Sequence, residues 1–216
     1  NATEDNSNGT VSVTTTGVDN DQTVTLTLNS ATYTADVGSN SATVTISAAG
    51  LQGLTDGSTY SLTANVTDAA GNAATQVTSS NFTVDTTAPT ISAITTFNWG
   101  ASLNATEDNS DQTVTITTSG AEDGQTVTLT LNSATYTANV SSNNATVTIT
   151  AAGLQALTDG VNYTLTADIS DAAGNAATQV TSDAFLVDKS AAIDPIATSN
   201  FSWGSSLNAT EDNSNG

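Results

Sequence analysis

The sequence predicts an all-β protein built from antiparallel β-sandwiches of about seven strands each, arranged in tandem and head to tail. Three features support this: an internal repeat, alternation of apolar residues with threonine, and turn residues between the alternating runs. Residues 1–85 align without a gap with residues 104–188, and NATEDNSNG occurs at both ends of the chain. A repeat of this length indicates one structural unit stacked in a quasi-one-dimensional array.

Alternation with a period of two marks the strands. In Thr23–Leu28, the apolar residues Val24, Leu26 and Leu28 fall on one face and threonines fall on the other. Such alternation, with β-branched residues, is typical of a half-buried antiparallel strand. In the second repeat we predict strands A to G at residues 90–97, 113–118, 126–131, 135–140, 145–150, 162–170 and 179–187.

One segment interrupts this pattern in both repeats, at residues 48–54 and 151–157. It predicts one helical turn that crosses between the two sheets. The predicted domains are residues 1–84, a sandwich whose own A strand lies upstream, and residues 85–187, a complete sandwich. Residues 188–216 are predicted to be a linker, an A strand and an A–B loop of a third repeat. Each linker is short and contains a proline, which favours a stiff connection.

Composition excludes several classes of function. The 216 residues include 21 acidic residues and one basic residue, giving a net charge of −20. Binding to nucleic acid or to anionic lipid is not expected, because phosphate groups require basic partners. The chain contains no cysteine, histidine or methionine. We expect no enzyme, because acidic turn residues without histidine or a basic cluster offer no acid–base site. No segment is apolar enough for direct membrane insertion.

Three acidic motifs recur and form the candidate metal site: NATED in the A–B loop, DAAGN in the F–G loop, and the aspartate that opens each linker. Strand order places the A–B loop of one repeat beside the linker aspartate and the F–G loop of the next, with Asp56 as a further candidate. Clustered carboxylates repel one another unless a cation neutralises them, and calcium takes 6–8 oxygen ligands. The alternative is that these residues only form turns. The candidate ligands are Glu4, Asp5, Asp68, Asn72, Asp85, Glu107, Asp108, Asp171, Asn175 and Asp188.

The motifs VDTTAP, LNATED and DAAGN, together with the strand sequences around them, resemble the bacterial Ig-like repeats of giant surface adhesins and biofilm-associated proteins. The resemblance covers nearly the whole chain. It implies an Ig-like sandwich, calcium at the domain junctions, and a role as an extender at the bacterial cell surface. The second linker departs from the pattern with Lys189-Ser-Ala-Ala, which leaves Asp194 as an alternative ligand to Asp188.

The leading hypothesis is therefore a non-catalytic structural extender of an extracellular adhesin, whose partners are adjacent repeats of the same polypeptide. One alternative is a fibre subunit that binds copies of itself by donor-strand exchange. The other alternative is a module that binds a carbohydrate or another surface. Carbohydrate sites favour exposed aromatic residues, for which Trp99 and Trp203 are the candidates, although we expect both to close the core.

Overall fold

The computed structural model describes residues 1–94, 96–193, 195–197, 200–201 and 205–206. These residues form two successive β-sandwiches, which confirms the predicted class of tandem Ig-like domains. Most strand pairs are antiparallel. Much of the predicted third repeat, including Asp194 and Trp203, lies outside the described residues.

The first repeat has two layers of strands and one short helix, α1 (Ala48–Gln52), none of whose residues is buried. One layer holds the sheet β3-β2-β6-β7 together with the pair β5–β8, and the other layer is the pair β1–β4. The strands are β1 (Gly9–Thr14), β2 (Thr23–Leu28), β3 (Ala31–Asp36), β4 (Ser41–Ile46), β5 (Thr59–Tyr60), β6 (Thr63–Asn65), β7 (Val77–Thr78) and β8 (Phe82–Thr83).

The second repeat has the same plan with additional strands at its start, a 3-10 turn at Glu107–Asn109 and a helix, α2 (Ala151–Gln155). Its strands are β9 (Thr90–Ile91), β10 (Thr96–Phe97), β11 (Ser102–Asn104), β12 (Gln112–Ser119), β13 (Thr126–Leu131), β14 (Ala134–Asn139), β15 (Asn144–Ile149), β16 (Asn162–Tyr163), β17 (Leu165–Asp168), β18 (Val180–Thr181) and β19 (Phe185–Asp188).

Three sheets make up the two layers of this repeat. The first layer has the order β10-β12-β15, with β9 also paired to β12. The second layer contains β14-β13-β17-β18 and β11-β19-β16. The helical turn predicted within residues 48–54 and 151–157 is present in both repeats, and a side-chain oxygen of Ser47 or Thr150 caps its first turn.

Two-residue turns explain the hairpins between β2 and β3 and between β13 and β14. Asn29 and Ser30 have φ of 45° and 68°, and Asn132 and Ser133 have φ of 47° and 67°. Positive φ at both central residues defines the type I′ turn, whose twist matches the flanking strands. Asparagine tolerates this conformation better than most residues, so the local sequence specifies the hairpin.

The predictions for strands A, F and G were too continuous. Strand A is split into β9 and β10, and the chain then forms β11, which runs parallel to β19 where the sequence predicted no strand. Strand F is interrupted at Thr164. Strand G is interrupted near Ser182, whose hydroxyl accepts a hydrogen bond from the Leu165 N–H at 2.9 Å. This side-chain hydrogen bond lies between the main-chain pairing of β18 with β17 and that of β19 with β16.

The two repeats differ in how completely their cores are covered. In the second repeat, Ile91, Ile94 and Leu103 lie in the core and are 7%, 3% and 0% exposed. Trp99 is 5% exposed and stacks on Phe97 with ring centroids 5.1 Å apart. In the first repeat, by contrast, side chains that pack against the core, such as Leu62 and Val66, are only partly buried. Among the described residues, no helix is long and apolar enough to cross a membrane.

Candidate functional site at the repeat junction

The loop between β17 and β18 is closed by one aspartate and one asparagine. The Asp171 carboxylate accepts hydrogen bonds from the Asn175 main-chain N–H at 2.8 Å and from Asn175 Nδ2 at 2.9 Å. Gly174 has φ of +89°, which disfavours other residues, and a Cβ there would lie 3.2 Å from Asn1 Nδ2. The DAAGN motif therefore forms a turn closed by hydrogen bonds between its own first and last residues, and this turn lies close to the first repeat.

Asn175 joins three parts of the chain at this junction. Its Nδ2 donates to the main-chain oxygen of Asp85 at 3.0 Å and lies 3.4 Å from Asp85 Oδ1. Its Oδ1 accepts a hydrogen bond from the Ala2 N–H at 2.8 Å. Asn1 Nδ2 also donates to the main-chain oxygen of Ala173 at 3.0 Å. One buried side chain, only 4% exposed, thus connects the linker, the first repeat and the second repeat.

The structure brings together part of the predicted set. Asp85, Asp171 and Asn175 meet in one hydrogen-bond network, as described above. Glu4 instead has its Oε2 2.7 Å from the N-terminal ammonium group. Glu4 and Asp5 line a separate cavity of about 150 Å³ on the first repeat, together with Asn1, Leu51, Leu54, Phe82, Thr83, Val84 and Thr86.

The equivalent loop of the first repeat is exposed to solvent. Asp68 accepts hydrogen bonds from the Asn72 main-chain N–H at 2.7 Å and from Asn72 Nδ2 at 2.8 Å. The bonds from the Asn72 side chain and main chain hold the pKa of Asp68 below its ordinary value. The same sequence therefore folds into the same turn, but in the described residues no linker aspartate meets it.

The remaining candidates lie at the far pole of the second repeat. Glu107 Oε2 accepts the Asn104 N–H at 2.9 Å, which closes the start of the 3-10 turn. Asp108 is 6% exposed and faces Lys189. Asp188 is exposed at the end of β19, where it pairs in register with Asn104. At this pole the buried Asp108 carboxylate is paired with the Lys189 ammonium group and not with a second acidic side chain.

Two further aspartates anchor the linkers. Asp56 accepts hydrogen bonds from the Thr86 N–H at 2.7 Å and from the Thr87 hydroxyl at 2.5 Å. Asp159 accepts the Lys189 N–H at 2.7 Å. The Thr87 hydroxyl and then the Thr86 N–H lower the pKa of Asp56, and the Lys189 N–H does the same for the pKa of Asp159.

The sequence analysis missed Asp159 and Lys189 as functional residues. Signals for both were present, because Thr-Asp-Gly recurs at the same place in the two repeats and Lys189 is the one basic residue of the chain. A recurring Thr-Asp-Gly is also an ordinary turn signal, so it does not by itself reveal a bond to the linker. Only the fold brings Asp159 next to a residue far along the chain.

The Lys189 ammonium group is enclosed by oxygen atoms. Its Nζ lies 3.0 Å from Asp108 Oδ2, and it donates to the main-chain oxygens of Leu157, Leu154 and Gln155 at 3.0, 3.2 and 3.3 Å. These carbonyls lie at the C-terminal end of α2, which carries partial negative charge. The side chains of Lys189 and Asp108 are 18% and 8% exposed, so the ion pair is largely shielded from water.

The oxygen atoms at the first junction are of the chemical type that a hard cation prefers. Asp85 and Asp171 contribute carboxylates, and Asp85 also offers its main-chain oxygen, whereas the Asn175 amide turns its Nδ2 to them and its Oδ1 to the Ala2 N–H. Calcium binds such ligands, whereas zinc favours nitrogen and sulfur. Among the described residues, however, no group of three or more acidic, histidine or cysteine side chains is arranged to hold a metal ion. Water would have to complete a coordination of six to eight oxygens.

No protein-family model and no curated protein matches the chain. Among solved structures, the chain is 32% identical to a Ca²⁺-stabilised adhesin with which an Antarctic bacterium reaches out and binds ice; the match covers 88% of this chain and 46% of that one, with a TM-score of 0.52. A bacterial Ig-like domain from the M. primoryensis ice-binding adhesin is 31% identical, over 46% of this chain and 95% of that one, with a TM-score of 0.34. The chain belongs to the bacterial Ig-like repeats of large adhesins.

A third solved structure shows the fold alone. Fibronectin(III)-like modules of Clostridium thermocellum CbhA are 13% identical to the adhesin repeats, over 85% of this chain and 87% of that one, with a TM-score of 0.50. The chain spans about half the length of the Ca²⁺-stabilised adhesin structure that it matches. What that adhesin as a whole does is therefore not a property of these repeats by themselves.

Proposed function

We propose that this chain is a non-catalytic extender segment of a bacterial adhesin, exposed outside the cell at its surface. Tandem sandwiches in series set a distance, because each repeat contacts only its neighbours. The observation that carries the proposal is the Asn175 network, in which one side chain bonds both the linker and the first repeat. Such bonds make the junction a defined joint, and a defined joint is what a spacer requires.

The proposal includes a calcium ion that has a structural role at the junctions between repeats. When bound, the ion neutralises facing carboxylates and holds the linker to both repeats. The described Ca²⁺ stabilisation of a related adhesin supports it, as does the net charge of −20. At the first junction the proposed ligands are Asp85, Asp171 and Asn175. On the first repeat the proposed ligands are Glu4 and Asp5. No ion is proposed at Asp68 and Asn72, whose loop is exposed, or at Glu107, Asp108 and Asp188, where the Lys189 ammonium group pairs with Asp108.

Removal of calcium tests this proposal. In the 216-residue chain, EDTA should lower the melting temperature and broaden the distribution of interatomic distances from small-angle X-ray scattering, and calcium should reverse both. With the affinity of extracellular calcium modules, about 10 mM calcium should stabilise the fold by about 1.4–2.7 kcal/mol.

Two matched variants locate the effect. Asp171→Asn should abolish the calcium response, because Asp171 lies in the joint between the repeats. Asp68→Asn changes the same position of the exposed loop and should retain the response. Melting and scattering curves of the wild type that are unchanged by EDTA and calcium contradict the calcium mechanism.

The partners under this proposal are adjacent repeats of the same polypeptide. A glycan or another surface is not assigned to these repeats, because Trp99 packs against Phe97 and Phe185 inside the core. Its ring is therefore not an exposed platform for a sugar. Trp203 lies outside the described residues.

A fibre joined by donated strands is a second candidate, and a specific observation favours it. The first repeat has an apolar groove whose lining includes Val13, Val18 and Val77, with Val77 60% exposed. Ile193 and Ile196, which follow the second repeat, are 92% and 70% exposed. The A strand of one copy could thus cover the groove of the next copy by strand addition.

Analytical ultracentrifugation over a range of concentrations tests this second candidate. Self-association that rises with concentration, and that is lost in the double variant Ile193→Asp and Ile196→Asp, supports a fibre. A wild-type chain that remains monomeric at high concentration contradicts it and leaves the extender role untouched.

A further inference from the structure

We propose that Lys189 is a built-in cation: its ammonium group does at the far pole of the second repeat what a metal ion does at the equivalent pole of the first repeat. The inference rests on the proposed function, since it concerns which poles depend on calcium. It predicts that the two poles differ, with one stabilised by an exchangeable ion and the other by a tethered ammonium group.

The surroundings of the ammonium group resemble a site for a hard cation. The Nζ atom has four oxygens within 3.3 Å, one from the Asp108 carboxylate and three from main-chain carbonyls. Carboxylate and carbonyl oxygens are also the usual ligands of calcium. An ammonium group has only three protons to donate, so four oxygens around it exceed what hydrogen bonding alone would use.

The first repeat has the same arrangement without the lysine. Asp5 aligns with Asp108, and Leu51 and Leu54 align with Leu154 and Leu157. Asp5, Leu51, Leu54 and Thr86 line one cavity. The main-chain bond from Leu54 N to Leu51 O is 3.0 Å long, and its equivalent from Leu157 N to Leu154 O is 3.1 Å, so the carbonyl turn is the same.

Thr86 stands where Lys189 stands in the second repeat. The main-chain N–H of each residue donates to its anchoring aspartate at 2.7 Å, so the two positions are equivalent in space as well as in sequence. The Thr86 hydroxyl turns to Asp56, at 3.2 Å. Among the described residues, no cation or hydrogen-bond donor contacts the Asp5 carboxylate. The second repeat thus shows a cation bound to Asp108, Leu154 and Leu157, whose counterparts Asp5, Leu51 and Leu54 line a cavity in the first repeat.

A tethered cation changes the response to the solution. The Lys189 ammonium group is present at every calcium concentration, so α2 and the second linker should hold without metal. The equivalent carbonyls of α1 have no such group and should depend on a dissolved ion. This difference accounts for the Lys-Ser-Ala-Ala sequence that follows Asp188, where the first linker has Thr-Thr-Ala-Pro.

Hydrogen–deuterium exchange with mass spectrometry on the 216-residue chain tests the inference. Peptides covering residues 47–57 report on α1, and peptides covering 150–160 report on α2. Each segment is compared with itself across variants, in EDTA and in calcium. In the wild type, calcium should slow exchange of the α1 segment and leave the α2 segment unchanged.

The decisive variants swap the residue types at positions 86 and 189. Lys189→Thr should speed exchange of the α2 segment in EDTA by about tenfold, as expected for loss of hydrogen bonds to a charged group, and calcium should restore its protection. Thr86→Lys should protect the α1 segment in EDTA and remove its calcium response. Thr87→Lys adds the same charge one position further along and should not reproduce that effect.

Two results overturn the inference: an α2 segment that responds to calcium in the wild type, or a Lys189→Thr variant whose loss of protection calcium does not repair. The second result would make Lys189 an ordinary structural ion pair, while the proposed function stands if the first junction still responds in scattering. Conversely, if calcium slows exchange of the wild-type α1 segment and repairs Lys189→Thr while EDTA leaves the scattering of the wild type unchanged, the inference stands and the calcium mechanism at Asp85, Asp171 and Asn175 is contradicted.

Discussion

Tyr136 shows how one side chain constrains the sequence of a neighbouring element. Its hydroxyl lies against Gly153 in α2, and Tyr33 lies in the same way against Gly50 in α1. Glycine inside a helix is unfavourable in isolation. Both repeats nevertheless have it at this position, because any Cβ there would overlap the tyrosine hydroxyl.

Gly153→Ala should therefore destabilise the second repeat. Overpacking costs about 1–3 kcal/mol, and a gain in helix propensity of about 1 kcal/mol offsets part of it. The change in free energy of unfolding is measured by urea denaturation. Adding Tyr136→Phe removes the hydroxyl and should recover part of the loss.

Gly38→Ala is the matched control, since no atom lies within 4 Å of the added Cβ. It should change stability by no more than about 0.5 kcal/mol. A Gly153→Ala variant as stable as the wild type would show that the tyrosine can move aside without loss.

At the scale of elements, the two Thr-Asp-Gly turns hold the linkers to the sandwiches. Asp56 and Asp159 each accept main-chain and side-chain hydrogen bonds from the residues that follow the last strand. These bonds favour the charged carboxylates and lower their pKa values in the folded state. The linkers are thus held by the carboxylates of Asp56 and Asp159, which accept these hydrogen bonds in their ionised form.

The sign of the pH dependence follows from this shift. A carboxyl group whose pKa is lower in the folded than in the unfolded state stabilises the fold fully above its unfolded value of 3.8. That contribution disappears as the pH falls through the folded pKa. The free energy of unfolding, from urea denaturation at a series of pH values, should therefore decrease on the acid side.

Asp159→Asn should reduce stability at neutral pH, and its difference from the wild type should shrink as the pH falls through the folded pKa. Asp36→Asn controls for the loss of one negative charge away from the linkers. A difference between Asp159→Asn and the wild type that stays constant from neutral to strongly acidic pH would contradict the role of the ionised carboxylate.

The elements also show where sequence patterns suffice. The bounds of β13 are those predicted, and β14 and β15 differ from the prediction by one residue, because alternation and type I′ turns are local signals. The breaks in strands F and G were not predicted. They depend on which strand lies alongside, and alternation along one strand carries no information about its partner.

At the scale of the whole molecule, the two repeats should differ in stability. The second repeat buries Ile91, Ile94 and Leu103 from the segment before its first long strand. Burial of each such side chain contributes about 1.5–3 kcal/mol. In the core of the first repeat, side chains such as Leu62 and Val66 are only partly buried.

We therefore expect the first repeat to unfold at a lower urea concentration than the second. Hydrogen exchange at increasing urea can follow the two repeats separately. A synthetic peptide of residues 86–103 should stabilise the first repeat, and the same peptide with Ile91 and Ile94 replaced by aspartate should not. A single transition common to both repeats, with no effect of the peptide, would contradict this expectation.

The sequence by itself determined the all-β class, the tandem arrangement, the buried face of each long strand and the absence of thiol and imidazole side chains. These follow from composition and from periodicity within a few residues. The tertiary structure decided which acidic side chains meet: Asp171 and Asn175 reach Asp85, whereas Asp108 reaches Lys189. Contacts between atoms so far apart along the chain depend on how the sheets pack and where the linkers run, and a local pattern does not encode either.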